Sequence, residues 1–338
     1  MSRLFALAWF LCALELVRIA AAGADTAPAP VGVVDLHVDL SYQLNYKKRP
    51  FDRGSGQFVA DELERAGVVG VVLPLYIPRE VSPEGPRGLD LESSYARVLG
   101  SLIAHAVYSP PGCVGGKGRV RTWLAFEGAT PLRADAQAVT SWVARGVRLF
   151  GLVHTYDNQL ATSSGPRAPA RSGLTEAGRA LAERVHALGA FLDVSHASDR
   201  TVSDVLELAR RAGAPVVASH SNSRSITPHR RNLSDQQVRA IAQTGGIIGV
   251  NFHSAFLAEG RRATLEDVVR HIRHLVAVAG VDHVAIGSDF EGDIRPPAEL
   301  ASATRFQSLA QALLKVGMTR RDVESIFHRN ALKLLCKE

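Results

Sequence analysis

The sequence predicts an α/β fold of the (β/α)8 TIM-barrel class. Short apolar segments rich in β-branched residues alternate along the chain with segments of helical periodicity, which is typical of a parallel sheet. Eight such units favour a barrel that closes on itself. The eight predicted strands are Val33–Val38, Val68–Leu73, Val120–Phe126, Val147–Val153, Phe191–Ser195, Pro215–Ser219, Gly246–Phe252 and His283–Ser288.

Local signals support the helices between these strands. Two predicted helices are preceded by capping-box pairs, namely Ser234 with Gln237 and Thr264 with Asp267. Glycines suited to C-caps end three helical runs, at positions 189, 213 and 280. A closing helix is predicted over Thr319–Leu335. Loop-like insertions are predicted at Tyr42–Gly56, Ile77–Gly88 and Pro110–Gly118, and nothing marks a second domain.

The N-terminus has the pattern of a targeting segment. Arg3, the apolar run Leu4–Leu14 and three nearby alanines before residue 25 predict a secretory signal peptide over residues 1–24. Residues 25–32 form a predicted linker, and residues 33–338 a single barrel domain. Glu15 and Arg18 follow the apolar run and disfavour a membrane span, which needs about 20 apolar residues. We expect export, to the periplasm, the medium or a membrane surface, with a retained N-terminal anchor as the alternative.

The charge and the cysteine content further limit the kinds of function that the sequence allows. The net charge of +6 comes mainly from arginines scattered singly with few aromatic residues between them, which disfavours nucleic-acid binding. Cys113 and Cys336 are the cysteines of the predicted mature chain. They could pair with each other, pair across a homodimer or stay reduced. The terminal LLCKE lacks the apolar tail of a lipid-anchor signal, so no such anchor is expected.

Six of the eight predicted strands end in a side chain that can bind a metal ion. These side chains are His37 and Asp39, Glu127, His154, His196, His220 and Asp289. A single histidine at a strand end could simply cap the strand, but six ionisable ends on apolar strands are costly to bury without partners. Because the C-terminal ends of barrel strands share one rim, these nitrogen and oxygen donors predict a metal-dependent hydrolase, with zinc the best match.

The remaining histidines have simpler explanations. His186, His271, His274 and His328 fall on predicted helices away from the strand ends, where structural roles are expected. His105 and His283 suit surface or capping positions. His253 follows the seventh predicted strand and is expected to line the pocket without binding metal.

The motifs at the strand ends together resemble the renal or membrane dipeptidase family of zinc peptidases. The matching segments are LHVDL, FEG, LVHTYDN, FLDVSH, VVASHSNSRSITPHRRN, GIIGVNF and HVAIGSDFEG, in order from about Val33 to the C-terminus. The HxD of the first strand replaces the HxH common in other metal-dependent amidohydrolases. The resemblance implies an amidohydrolase-like barrel with two zinc ions at its C-terminal mouth.

The resemblance also implies roles for individual residues. His37 and Asp39 would hold one zinc ion, His196 and His220 the other, and Glu127 would bridge both. His154, Arg231 and Asp289 match residues that contact substrate. The expected catalytic residues are Glu127, His154 and Asp289. Asp289 would carry the proton to the leaving nitrogen, His154 would stabilise the oxyanion and Arg231 would grip the terminal carboxylate.

The expected reaction is hydrolysis of free dipeptides, with tolerance of a D-residue at the C-terminal position. Family members include enzymes that open carbapenems and mammalian lipid-anchored dimers, so a homodimer and membrane association stay open. Phe256 stands where mammalian relatives have a tyrosine, and the PLYIPRE segment differs from theirs. The alternatives are therefore a dinuclear amidohydrolase acting on another amide, lactone or ester, and an exported zinc- or peptide-binding protein without turnover. Manganese or cobalt could replace zinc.

Overall fold

The computed structural model describes residues 30–53, 55–76, 91–114, 119–132, 135–165 and 172–336. The predicted signal peptide, most of the predicted linker and the predicted insertion Ile77–Gly88 lie outside the described residues. Val31–Glu338 forms one compact unit. In the described part of the chain, every helix is too short or too polar to cross a membrane.

A closed parallel barrel confirms the predicted fold class. The described strands are β1 (Val33–Asp35), β2 (Val68–Leu75), β3 (Tyr108–Pro111), β4 (Val120–Glu127), β5 (Val147–Gly151), β6 (Phe191–Asp193), β7 (Val216–Ala218), β8 (Ile247–Val250) and β9 (Val284–Ile286). Strand β1 pairs with β2 and with β9, and β2 also pairs with β4, so eight strands form a ring. All described pairings between these strands are parallel, which brings their C-terminal ends to one rim.

Strand β3 is additional to the eight predicted strands. It pairs with the first half of β4, with Tyr108 opposite Val120 and Pro111 opposite Thr122. Its last two residues, Pro110 and Pro111, belong to the predicted insertion Pro110–Gly118, although proline cannot donate to a strand ladder. The structure tolerates these prolines because β3 lies at an end of the sheet order, where one side needs no partner.

The first strand is shorter than predicted, which changes how its metal-capable residues reach the rim. It ends at Asp35 rather than Val38, so strand alternation does not place His37 and Asp39 on one side. Instead the chain bends, Val38 makes an isolated bridge to Phe290, and Asp39 precedes a short helix. Alternation along a regular strand predicts that His37 and Asp39 point to the same side. Both do lie at the mouth, but the bend after β1 brings them there.

Helices surround the barrel and begin and end where the local signals indicated. Their bounds are α1 (Leu40–Tyr42), α2 (Leu63–Ala66), α3 (Leu91–Ala104), α4 (Ala138–Ala144), α5 (Glu176–Ala187), α6 (Asp199–Ala212), α7 (Asp235–Gln243), α8 (Ser254–Leu257), α9 (Leu265–Ala279), α10 (Phe306–Lys315), α11 (Arg320–Glu324) and α12 (Asn330–Cys336). A π-helical turn, Gln43–Lys47, follows α1. Short 3-10 turns lie at Ala60–Glu62, Thr130–Leu132, Val281–His283, Ala298–Leu300 and Ala303–Arg305. Both predicted capping boxes are present, and Gly213 ends α6 in the left-handed conformation.

The closing helix is continuous but not regular. The predicted Thr319–Leu335 helix divides into α11, a π-helical turn at Ser325–Arg329 and α12. At the start of α12, Asn330 Nδ2 donates to the carbonyls of Val281 and Val284, both at 2.8 Å. The C-terminal segment is thereby attached to the chain entering β9.

The core has two layers on either side of the barrel wall. Inside the barrel, a buried apolar cluster includes Leu36, Val72, Trp123, Leu149 and Val217, and α12 packs against it. Outside, the larger cluster lies between the strands and the surrounding helices. The interior cluster fills the barrel with apolar side chains. The polar residues at the C-terminal rim therefore lie next to a close-packed apolar core.

Cys113 and Cys336 form a disulfide, with their Cα atoms 5.5 Å apart. This resolves the three alternatives that sequence spacing left open. The bridge joins the segment after β3 to the end of α12 across 223 residues of sequence. It therefore fastens the C-terminal helix to the barrel.

Candidate metal centre

Glu127 is the central residue of the barrel mouth. It is the last residue of β4, and its Oε1 lies close to the Nε2 atoms of four histidines. The distances are 3.0 Å to His196, 3.3 Å to His37, 3.6 Å to His220 and 3.7 Å to His154. The structure thus brings together imidazoles from the ends of β1, β5, β6 and β7 around one carboxylate.

The predicted metal-capable residues form three overlapping groups in which potential ligand atoms lie within 4.8 Å of one another. The groups are His37, Glu127 and His220; Glu127, His154 and His196; and His37, Asp39 and Asp289. Within them, His37 Nε2 lies 3.6 Å from Asp39 Oδ2, and His196 Nε2 lies 3.0 Å from His220 Nε2. The contacts are compatible with the two predicted ligand pairs sharing Glu127.

A serine hydroxyl that sequence analysis missed determines how two of the imidazoles are oriented. Ser219 Oγ donates its single proton to Asp193 Oδ2. The same oxygen lies 2.7 Å from His220 Nδ1 and 3.3 Å from His37 Nδ1, so it must accept from both rings. Each Nδ1 is therefore protonated, which leaves Nε2 as the ring atom that binds either a proton or a metal ion.

The contacts of the Nε2 atoms fit a metal ion. In the neutral tautomer, the Nε2 atoms of His37 and His220 face carboxylate oxygens, which are also acceptors. Among the described residues, His37 Nε2 and Asp39 Oδ1 are buried without a hydrogen-bond partner. Buried acceptors that converge on one another without donors are stabilised by a cation placed between them. The donor set therefore fits metal ions that accept nitrogen and oxygen ligands, such as zinc.

The electrostatics of the mouth lead to the same conclusion. Burial, followed by repulsion from Glu127, raises the pKa of Asp39 to about 6. Burial, with repulsion from Asp39 and Glu127, also raises the pKa of Asp289 well above its usual value. Burial opposes ionisation of Glu127 too, but attraction by His154 and His37 outweighs it and holds the pKa of Glu127 well below its usual value. Three crowded carboxyl groups favour a bound cation.

The surroundings of the imidazoles shift their pKa values in different directions. Burial holds the pKa values of His196 and His220 well below the usual histidine value, which keeps both rings neutral and able to ligate. Burial also opposes the charge on His37, but attraction by Glu127 and Asp39 raises its pKa well above the usual value. A proton and a metal ion therefore compete for His37 Nε2.

Two glycines make room for this arrangement. A Cβ atom at Gly249 would lie 2.0 Å from the Ser219 carbonyl oxygen, and one at Gly287 would lie 1.8 Å from it. Any larger residue at either position would displace the backbone at Ser219. The glycines of β8 and of the turn after β9 thus allow the end of β7 to approach the barrel interior.

Arg231 lies in the loop after β7, beside the metal-binding groups. Its guanidinium carbon lies 5.4 Å from the centre of the Phe256 ring, and its Nη1 is buried without a hydrogen-bond partner. Burial lowers the pKa of Arg231 to about 10, so the group is still charged at neutral pH. A buried cation with an unused donor is suited to binding an anionic group of a ligand.

His271 holds the Arg231 loop in place. Ser223 N donates to His271 Nδ1 at 3.1 Å, so Nε2 carries the proton and lies 3.2 Å from the Leu257 carbonyl oxygen. Asn232 Nδ2 adds bonds to the carbonyls of Thr227 and Phe256, at 2.9 and 2.8 Å. His271 lies outside the metal-capable groups, as expected, but its support of this loop was not predicted.

A cavity of about 290 Å³ opens above the metal-capable residues. Tyr42 and Tyr76 contribute to one part of its lining, with ring centres 5.9 Å apart. Phe256 and His253 contribute to another, with ring centres 4.8 Å apart. His253 lines the pocket outside the metal-capable groups, as predicted. The cavity suits a small ligand rather than an extended chain.

The contacts of Ser219 with His37 and His220 predict the effect of replacing this serine, and Ser221 provides a control nearby. Ser219→Ala should lower metal affinity by about 10- to 100-fold, because His37 and His220 lose the acceptor that orients both rings. Ser221→Ala is the control, since Ser221 Oγ is buried nearby without a hydrogen-bond partner. Titration of the metal-free variants with zinc measures both affinities. Equal affinities for the two variants would rule out the orienting role of Ser219.

The chain is similar to known peptidases in both sequence and structure. Residues 28–338 match the sequence profile of the membrane dipeptidases, peptidase family M19. A metallopeptidase from Rhodobacter sphaeroides, solved with a phosphinate mimic of the dipeptide L-Ala-D-Ala, has a TM-score of 0.80 and 26% identity, over 90% of this chain and 99% of that chain. Dipeptidase AC, an M19 metallopeptidase, has a TM-score of 0.77 and 27% identity, over 90% and 98%. The dipeptidase aclJ of Aspergillus oryzae is 30% identical over 69% of this chain, which spans only 54% of the fungal protein.

Proposed function

The chain belongs to the membrane dipeptidase family, peptidase family M19, and is a metallo-dipeptidase, and we propose that it cleaves free dipeptides at two zinc ions bridged by Glu127. In this proposal His37 and Asp39 hold one ion, and His196 and His220 hold the other. The observation that carries it is the convergence of buried acceptor atoms on Glu127 beside the unpaired guanidinium of Arg231. Bound zinc would lower the pKa of a water molecule toward about 7 and polarise the peptide carbonyl.

Arg231 would bind the C-terminal carboxylate of the dipeptide. Its buried Nη1 has no hydrogen-bond partner among the residues that the structure describes, and a carboxylate would accept from it. Because this charge lies beside the 290 Å³ cavity, the carboxylate must lie close to the scissile bond. The contact fixes cleavage at the last peptide bond, and the small cavity leaves room for only one residue before that bond, which limits the substrate to a dipeptide.

Asp289 would carry the proton during hydrolysis. Burial and the nearby carboxylates raise its pKa well above the usual value, which favours the protonated form of the side chain. Asn251 Nδ2 donates to Asp289 Oδ2 at 2.9 Å and fixes the side chain. The left-handed φ of 67° at Asp289 turns the chain sharply after β9. Asp289 can thus take a proton from water and deliver it to the leaving nitrogen.

His154 would stabilise the negative charge that develops on the carbonyl oxygen. Its side chain is 28% exposed, against 13% for His196 and 1% for His220, so it is the imidazole that most faces the cavity. Thr155 Oγ1 lies 2.9 Å from His154 Nδ1 and helps to hold the ring. A ring nitrogen that donates from this position would strengthen its hydrogen bond as the oxyanion forms.

A panel of substrates tests the proposed function. L-Ala-L-Ala and L-Ala-D-Ala should be hydrolysed, whereas N-acetylated, C-amidated and tripeptide forms should not, because their end groups cannot reach the site correctly. Chelation should abolish activity, and added zinc should restore it. An ester and a lactone in the same panel test the alternative substrate classes. Metal binding without cleavage of either free dipeptide would refute the proposal.

The role of Arg231 has a matched control in the next residue along the chain. Arg231→Ala should raise KM for L-Ala-D-Ala on the order of 10- to 100-fold, as expected for loss of a charge-assisted bond. Zinc content should stay the same, since Arg231 is not a proposed ligand. The exposed Arg230 provides the control variant Arg230→Ala, which should leave KM within about twofold. An unchanged KM in Arg231→Ala would exclude the proposed grip.

We also propose that the protein is exported through the signal peptide predicted at residues 1–24. The Cys113–Cys336 disulfide supports this, because such bonds persist mainly in oxidising compartments. The bond uses both cysteines of the described chain, so a homodimer formed by this part of the protein would be non-covalent. The N-terminus of protein recovered outside the cytosol should follow Ala24. An unprocessed N-terminus, or free thiols in the recovered protein, would contradict export.

A further inference from the structure

A second cavity, of about 1060 Å³, adjoins the pocket above the metal-capable residues. The two cavities share His253 and Ile294 in their linings. The Arg231 loop also borders the second cavity, through Thr227, Pro228 and His229. A ligand held by Arg231 would therefore lie next to this space. The proposed reaction does not use it.

The lining of the second cavity has an excess of positive charge. Arg261 lines it but is neutralised by Asp267, with both guanidinium nitrogens 2.7 Å from the carboxylate oxygens. Within the part of the chain that the structure describes, the Arg262 side chain donates only to the neutral Pro296 carbonyl, at 2.9 and 3.1 Å, and so keeps its charge. Arg295 is exposed and forms no ion pair within the described residues.

One carboxylate reduces this excess without cancelling it. Glu259 also lines the cavity and is exposed. His229 and His253 are neutral at pH 7, because burial lowers the pKa of His229 to about 4 and that of His253 below its usual value. Two uncompensated arginines against one glutamate leave the cavity attractive to anions.

Contacts of Phe256 indicate which end of a dipeptide would face this cavity. The Phe256 ring contacts Arg231, and its centre lies 4.7 Å from that of His229 and 4.8 Å from that of His253. Arg231 and the second cavity thus lie on the same side of the active site. The residue that carries the C-terminal carboxylate would be the one adjacent to the arginines.

Near Tyr42, another part of the lining of the metal-centre cavity contains the carboxylate of Asp293. Asp293 accepts a hydrogen bond from Tyr42 at 3.1 Å and pairs with Lys47 at 2.7 Å. Asp293 lines the metal-centre cavity, but Lys47 compensates its charge, as Asp267 does for Arg261. Asp293 therefore does not offset the charges of Arg262 and Arg295.

We propose that the second cavity binds the side-chain carboxylate of the C-terminal residue, so that the enzyme prefers dipeptides ending in aspartate or glutamate. This inference rests on the proposed dipeptidase function. Arg262 and Arg295 would be the specificity-determining residues. The same arginines would repel a lysine side chain. A glutamine side chain could accept hydrogen bonds from them but would carry no opposite charge.

The test compares kcat/KM for Ala-Glu, Ala-Gln, Ala-Lys and Ala-Ala, each with an L- or D-residue at the C-terminus. Glutamine matches glutamate in size, so the Ala-Glu to Ala-Gln ratio isolates charge. We expect this ratio to be about tenfold for the favoured hand, as for one charge-assisted bond, with Ala-Lys the poorest substrate. The ratio should fall at high salt, because the arginines are exposed.

Variants assign the preference to the cavity. Arg295→Gln should lower the Ala-Glu to Ala-Gln ratio, Arg262→Gln combined with it should bring the ratio close to one, and Arg295→Glu should favour Ala-Lys over Ala-Glu. Arg273→Glu is the control for net charge, since Arg273 is exposed in α9 and does not line either cavity. It should keep the wild-type ratio. Because the Arg295 side chain has no ion pair to lose among the described residues, Arg295→Gln should fold normally even if Arg262→Gln is destabilised.

The outcomes separate this inference from the function on which it rests. Cleavage of Ala-Ala with an Ala-Glu to Ala-Gln ratio near one would overturn the acidic preference alone. A wild-type preference that survives the Arg262 and Arg295 changes would also overturn it, because the charge would then act elsewhere. Failure to cleave any free dipeptide in the presence of zinc would overturn both.

Discussion

The metal centre depends on one buried carboxylate. Ionised Glu127 would be costly at the end of an apolar strand, but four imidazole nitrogens lie 3.0 to 3.7 Å from its Oε1. Each imidazole follows a different strand of the ring. The cluster can therefore assemble only when the barrel closes, and the apolar interior beneath it determines where the strand ends meet. Folding and formation of the site are one event.

The surroundings of Ser219 connect strand packing to ligand chemistry. Its hydroxyl bonds Asp193 and two imidazoles, while its carbonyl lies where a Cβ at Gly249 or Gly287 would clash. A change in packing at either glycine would move the backbone of Ser219 and, with it, the acceptor for both rings. The ring orientation of His37 and His220 is thus set by backbone contacts on the opposite side of the serine.

Much of the fold and of the candidate site could be predicted because both depend on repeated local patterns. Apolar segments predicted the eight barrel strands, and the metal-capable residues after six of them predicted the rim that carries the site. Three features gave no such signal. The prolines of β3 hid a strand, the 223-residue separation of Cys113 and Cys336 carried no pairing information, and His271 supports Ser223 from 48 residues away. Strand alternation does not explain the orientation of His37, because β1 ends at Asp35, three residues before the predicted end at Val38.

The arginines beside the site differ in what their charges can achieve. Arg231 is buried with an unused Nη1, so the free protein bears a desolvation cost that a carboxylate of the ligand would offset. A ligand without that carboxylate would leave the cost in place, and it would be rejected strongly rather than merely bound less well. Arg262 and Arg295 are exposed, and solvent screens their charges in every state. Burial therefore makes Arg231 suited to an absolute requirement for a free carboxylate, while exposure limits the other two to a graded preference among side chains.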